Sequence, residues 1–260
     1  MQDKLAAQLY TLREHTQTAR DFDNALGICH EIGYPAVQLS AVGCMNGESP
    51  ELDAHTARRM LDHNGLKCCA THRSWEALRD RTDEEIEFHL ILGCNYVAIG
   101  GIWPKDPNEY RQFVADSKPV IERLKQAGIR FGYHNHSHEF QRNEATGEPW
   151  YEVLIEEGGP DLMLEIDTYW VQHAGVDPAD LVFRCAGRVP VIHVKDKEVV
   201  PGDGPVFAPI GEGNFNWENI IDAGEDAGVE WYVVEQDTCR RDPFDCLKSS
   251  FDYLTGFTKV

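Results

Sequence analysis

The sequence predicts an α/β fold, a single (β/α)8 TIM barrel spanning residues 1–260, and three observations predict it. A short unit recurs seven times: an amphipathic stretch, a glycine, one to three residues, then an apolar or β-branched run that ends in polar residues. The chain has 260 residues, close to the roughly 250 that one such barrel uses. The polar residues that close the runs are rich in His, Asp, Glu and Lys, as expected where βα loops build an active site.

Taken in order, an opening strand leads to Gln8 and Tyr10. The repeats follow as EIGYPAVQLS (31–40), HNGLKCCATH (63–72), ILGCNYVAIG (91–100), QAGIRFGYHNH (126–136), EEGGPDLMLEID (156–167), CAGRVPVIHVKD (185–196) and DAGVEWYVVEQD (226–237). Each glycine marks a helix that ends in a left-handed residue. Each run after it is short and apolar, as a strand covered on both faces by helices should be. Between them, 21–32 carries apolar residues at Phe22, Ala25, Leu26 and Cys29. Ser49 and Pro50 read as N-cap and first residue of a helix reaching Asn64, and Thr82 with Glu85 reads as a capping box ahead of 86–92. Helices over 108–127, 149–157, 178–186, 217–227 and 243–254 complete eight. Strict alternation with eight strands selects a closed parallel barrel over an open sheet. The irregular stretches 101–106, 141–148 and 198–214 all follow strands, which places them at the C-terminal mouth.

Against 24 Lys and Arg stand 44 Asp and Glu, a net charge of −20. Most of the surface therefore repels nucleic acid and anionic membranes, and neither is expected as a partner. The eight cysteines include no C-x-x-C, and Cys68 and Cys69 are adjacent, outside ordinary disulfide geometry. Reduced thiols, no signal-like leader and no apolar run of membrane-spanning length make the cytoplasm the expected compartment, with homo-oligomerisation left open.

The chemistry centres on FGYHNHSHEF (131–140). Period-two geometry puts His134 and His136 on one strand face about 6.6 Å apart, offering a metal ligand, a base or both. Other strand ends add Gln38, His72, Glu165, Asp167, His193, Lys195, Asp196, Glu235 and Gln236. By parity Glu165 shares a face with Asp167, His193 with Lys195, and Val233 with Glu235. A carboxylate in a dry barrel is costly unless paired or bound to a cation. Asp167, His193 and Glu235, joined by one strand-five residue, form a nitrogen and oxygen set without thiolate. Such a set suits one divalent metal ion among Mn, Co, Mg, Zn and Fe, and ligand type does not choose among them. The plain readings are that His72 is a hydrogen-bonded core histidine, that Trp103, Tyr169 and Trp170 only pack, and that Lys195 with Asp196 is a surface ion pair. The GEG at 211–213 reads as a turn.

YHNHSHEF (133–140), LEIDTYWVQHAG (164–175), IHVKD (192–196), GEGNFNW (211–217) and VVEQD (233–237) together resemble the xylose isomerase-like barrel superfamily, the sugar phosphate isomerase/epimerase group. The resemblance covers essentially the whole chain. It implies a divalent metal at the mouth held by His134, Asp167, His193 and Glu235, one residue from each of strands five to eight. Many epimerases carry a glutamate at the end of strand five where this chain has His134, and Glu139 is the alternative ligand there. The implied activity is isomerisation or epimerisation of a sugar, keto-inositol or related small-molecule carbohydrate through an enediolate. His136 or Glu235 would move the proton, and Lys195 or His72 would support the oxyanion. Tyr10, Gln38, Trp103, Glu139, Trp170 and Asp196 would line the substrate. The rival readings are a lyase or dehydratase acting by β-elimination on a 3-keto-sugar or 3-keto-glycoside, and a non-catalytic partner subunit.

Overall fold

In the computed structural model, which describes residues 1–47 and 49–257, eight parallel strands close into a ring. They are β1 (Leu5–Gln8), β2 (Ala36–Leu39), β3 (Lys67–His72), β4 (Tyr96–Ile99), β5 (Arg130–His134), β6 (Leu162–Asp167), β7 (Val191–Val194) and, after an antiparallel hairpin of β8 (Asp196–Val200) and β9 (Gly204–Ala208), β10 (Trp231–Val234). The ring shuts where β10 lies beside β1, with Ala6 opposite Val233. The helices around it are α1 (Ala19–Ile32), α2 (Ala54–His63), α3 (Trp75–Asp80), α4 (Thr82–Leu92), α5 (Pro107–Gln126), α6 (Tyr151–Glu156), α7 (Thr168–His173), α8 (Pro178–Arg184), α9 (Trp217–Ala227) and α10 (Pro243–Thr255). Among the described residues no helix is long and apolar enough to cross a membrane, and all eight cysteines are free.

The seven repeat glycines, 33, 65, 93, 128, 159, 187 and 228, all have positive φ, between 67° and 116°. The repeat is therefore a backbone signal, since residues with a Cβ are strained there. Three local expectations fail for identifiable reasons. Helix α2 starts at Ala54, not at Pro50, because Leu52 is buried with its N–H donated to the Cys44 carbonyl. The chain stays out of helix until Asp53, whose side chain accepts from Thr56 N. Thr82 does not cap α4: its hydroxyl donates back to the Leu78 carbonyl of α3 at 2.7 Å, and Glu85 forms a two-pronged ion pair with Arg73. The stretch 198–214 is not all irregular, since KEVV and PVFA pair across a turn to form the β8–β9 hairpin.

The inner faces of the strands decide what the site rests on. Their floor is Ala6, Ala36, Cys69, Ala70, Tyr96, Ala98, Met163, Val191 and Val233, a buried cluster separate from the larger one under the helices. Mostly small side chains leave room for Tyr96, and a Cβ at Gly132 of β5 would collide with the Tyr96 hydroxyl. One step further along the same faces the residues become Gln8, Gln38, His134, Glu165, His193 and Glu235, all buried. A dry floor with a polar layer above it confines the chemistry to the C-terminal mouth.

Candidate metal centre

Alternation along β5, β6, β7 and the end of β10 brings His134, Asp167, His193 and Glu235 together, one potential ligand atom from each within 4.8 Å of all the others. All four are buried. His134 Nε2 lies 3.2 Å from Asp167 Oδ2, and His193 Nδ1 lies 2.6 Å from Glu235 Oε2. That second pair is short yet unaligned: His193 Nδ1 and His134 Nδ1 lack a hydrogen-bond partner, and Glu235 Oε2 is met by ion-pair contacts alone, from His193 and from the Lys195 ammonium at 2.9 Å. Buried polar atoms that crowd together without bonding one another are costly unless a further group satisfies them. A divalent cation fits this donor set of two imidazoles and two carboxylates.

Two of the four, Asp167 and His193, are held from behind. Asp167 Oδ1 accepts Trp170 N at 3.0 Å, capping α7, which leaves Oδ2 for the cluster. The Asp167 N–H donates to Asn135 Oδ1, tying the ends of β5 and β6 together. His193 Nε2 sits 2.7 Å from Gln38 Oε1 and 3.0 Å from Glu165 Oε1. Glu165 also meets His72 Nε2 and Gln38 Nε2, so it lies one layer beneath the cluster and orients two imidazoles. Burial alone would depress the His193 pKa, but Glu165 and Glu235 override it and push it up to about 10. His134 moves the other way, driven down by burial and then by its histidine neighbours.

Lys195 is fully enclosed, 1% exposed, and its ammonium lies 2.9 Å from Asp167 Oδ2 and 2.9 Å from Glu235 Oε2. Its aligned hydrogen bond goes to Asp237 Oδ1 at 2.7 Å. The plain reading of Lys195 with Asp196 as a surface ion pair therefore fails, and Lys195 faces inward as its parity with His193 implies. At the rim, His136 stands half-buried against Trp170 and Trp103, with ring centroids 5.6 and 5.9 Å away. Its Nδ1 has no hydrogen-bond partner, and burial pulls its pKa down to about 4. Trp103 stacks on His138 and is 71% exposed, an outer wall and not a packed core residue.

Three residues expected at the substrate are committed inside the protein. Gln38 is buried with both ends of its amide on Glu165 and His193. Glu139 is buried, accepting Tyr133 Oη at 3.0 Å and His136 N at 2.9 Å. It braces the β5 end while His134 joins the four-residue group. Asp196 points to the opposite side of its strand from Lys195. Its carboxylate accepts from the backbone N–H groups of Lys197, Gly211, Gly213 and Phe215 and from Trp217 Nε1. That bonding explains the GEGNFNW turn as a cradle for one carboxylate. Tyr10 lies on a 3-10 turn after β1, with the Arg13 guanidinium 4.4 Å from its ring centroid. Sequence reasoning passed over Asp237 and Asn135. The first was legible from parity, two residues beyond Glu235; the second acts across strands and leaves no sequence period.

A family model described as xylose isomerase-like TIM barrel matches residues 26–255. The inosose dehydratase of Geobacillus kaustophilus (strain HTA426) is 24% identical over 261 aligned residues, covering 80% of this chain and 81% of that protein. Among solved structures, a sugar phosphate isomerase/epimerase from Parabacteroides distasonis ATCC 8503 superposes with a TM-score of 0.82 at 22% identity, covering 98% of this chain and 94% of that one. The zinc-bound IolI protein superposes with a TM-score of 0.71 at 13% identity, covering 97% and 96%.

Proposed function

Because the chain belongs to the xylose isomerase-like TIM barrel family, we propose that it is a divalent-metal-dependent isomerase or epimerase of a small polyhydroxylated carbonyl compound. The observation that carries this reading is the buried group His134, Asp167, His193 and Glu235, whose His193 Nδ1 and Glu235 Oε2 crowd to 2.6 Å without a hydrogen bond. The zinc of the IolI neighbour supports the same reading. A divalent ion held by these four residues would supply a Lewis acid that polarises a bound carbonyl and acidifies the adjacent C–H.

The chain's own groups account for the rest. His136, unprotonated at neutral pH and without a hydrogen-bond partner at Nδ1, takes the proton from the carbon beside the carbonyl. Its low pKa makes it a weak base, so it acts on a C–H that is already acidified. The Lys195 ammonium supports the negative charge that develops on oxygen. Trp103 and Trp170 offer flat apolar walls for the C–H face of a carbohydrate. A proton delivered to the same carbon from the opposite face, by a second group, epimerises; return by His136 to the neighbouring carbon interconverts aldose and ketose. The likeness to an inosose dehydratase favours a second reading, in which the same first step is followed by loss of a β-hydroxyl.

Elemental analysis of protein purified without added metal, beside His193→Ala, tests the proposal. About one divalent ion per chain in the wild type, absent from the variant, is expected. A wild type that stays metal-free after reconstitution overturns the reading. Incubation with ketoses, inososes and 3-keto-glycosides in D2O then separates the reactions. Deuterium gained at carbon without loss of water marks isomerase or epimerase chemistry, and appearance of a conjugated enone marks elimination.

A further inference from the structure

We infer that Lys195 is a resident counter-cation of the metal centre, tethered by Asp237, which competes with a divalent ion for the carboxylates of Asp167 and Glu235. The inference rests on the metal reading above. Two residues past His193 on the same inward face, the Lys195 side chain is 1% exposed and ends between the two anionic ligands, 2.9 Å from an oxygen of each. Its backbone is fixed too, the N–H donating to Thr168 Oγ1 at 3.1 Å. Without an ammonium there, the buried carboxylates of Asp167 and Glu235 would face each other with the half-buried Asp237 close by and no cation among them, an arrangement that burial penalises heavily. Lys195 therefore stabilises the metal-free protein.

The same placement opposes the metal. A divalent ion that takes Asp167 and Glu235 must share them with a positive charge already at contact distance, so Lys195 sets the affinity below what the four ligands alone would reach. Asp237 adjusts that set point. By accepting the aligned hydrogen bond of the ammonium at 2.7 Å, it weakens the hold of Lys195 on the two ligand carboxylates without belonging to the four-residue group.

The test is calorimetric titration of purified protein with Mn²⁺ alone, with melting temperature read on the metal-free samples. Lys195→Met, which keeps the stem and removes the charge, should bind Mn²⁺ at least about tenfold more tightly, because a unit positive charge at contact distance from the two carboxylates no longer repels the ion. Its metal-free form should melt at a lower temperature than the wild type. Asp237→Asn should shift affinity the opposite way, binding Mn²⁺ more weakly than the wild type. Equal or weaker binding in Lys195→Met overturns the inference. Should that variant not fold, equal or tighter binding in Asp237→Asn overturns it. If the wild type binds one Mn²⁺ that Asp167→Ala loses while Lys195→Met is unchanged, the counter-cation role alone falls. No binding by the wild type removes both readings.

Discussion

Asp167 divides its carboxylate between two tasks, Oδ1 capping α7 and Oδ2 facing the cluster. The two are separable by substitution. Asn caps helices about as well as Asp, whereas Ala forfeits about 1 kcal/mol. Asp167→Asn and Asp167→Ala should therefore lose metal alike, while the Ala variant is the less stable of the two in urea. Equal stability would mean that the cap contributes nothing. Glu139 gives a second residue-scale prediction. Burial raises its pKa from 4.5 to about 7, so the folded protein holds this proton more tightly than the unfolded chain. Its contribution to stability is fully present below pH 4.5 and is lost as pH rises to about 7, by about 3 kcal/mol. Glu139→Gln should flatten that fall in a pH series of unfolding midpoints; an unchanged slope would assign the titration elsewhere. Asp167, His193 and Glu235 were readable as one group because parity and strand-end placement agree on them, and His134 was singled out on strand five by the family resemblance. Asp196 was misread because its residue type was weighed above its parity, which opposes that of Lys195 and sends it outward.

At the scale of elements, the repeat made the strands and most helices legible, because a glycine at each helix end punctuates the pattern. What escaped was short or context-dependent. α3 and α7 have six residues each, too few for a 3.6-residue period to emerge. The β8–β9 hairpin has mixed burial on both strands, so its alternation is faint. The hairpin and the turn after it are joined through Asp196, which lies at the start of β8 and gathers the 211–217 turn. Asp196→Ala would leave several N–H groups and the Trp217 indole without their acceptor. Hydrogen exchange should accelerate over 209–217 in that variant and stay near wild type in β2 to β4. Protection preserved across 209–217 would show that the turn holds itself.

For the whole molecule, the −20 net charge acts as self-repulsion spread over a closed body. Surface pairs such as Arg130 with Glu230 and Arg111 with Glu157 offset little of it, since exposed pairs are worth at most about 1 kcal/mol each. Raising ionic strength from about 0.01 to about 0.15 M shortens the screening length from roughly 30 to roughly 8 Å. The melting temperature should rise as a result. A fall would mean that local pairs outweigh the net repulsion.

The seam between β1 and β10 also orders events in time. Gln236 N donates to Thr11 Oγ1 across 225 residues of chain, and Glu235 sits beside that bond. A nascent polypeptide emerging from the ribosome presents Gln38 and His72 first, then His134, Asp167 and His193, as an arc with two raw edges. The fourth member of the group, Glu235, and the strand that joins those edges arrive together. Closure of the ring and completion of the four-residue group therefore coincide: a chain cut before β10 retains three of the four donors without the ring that aligns them.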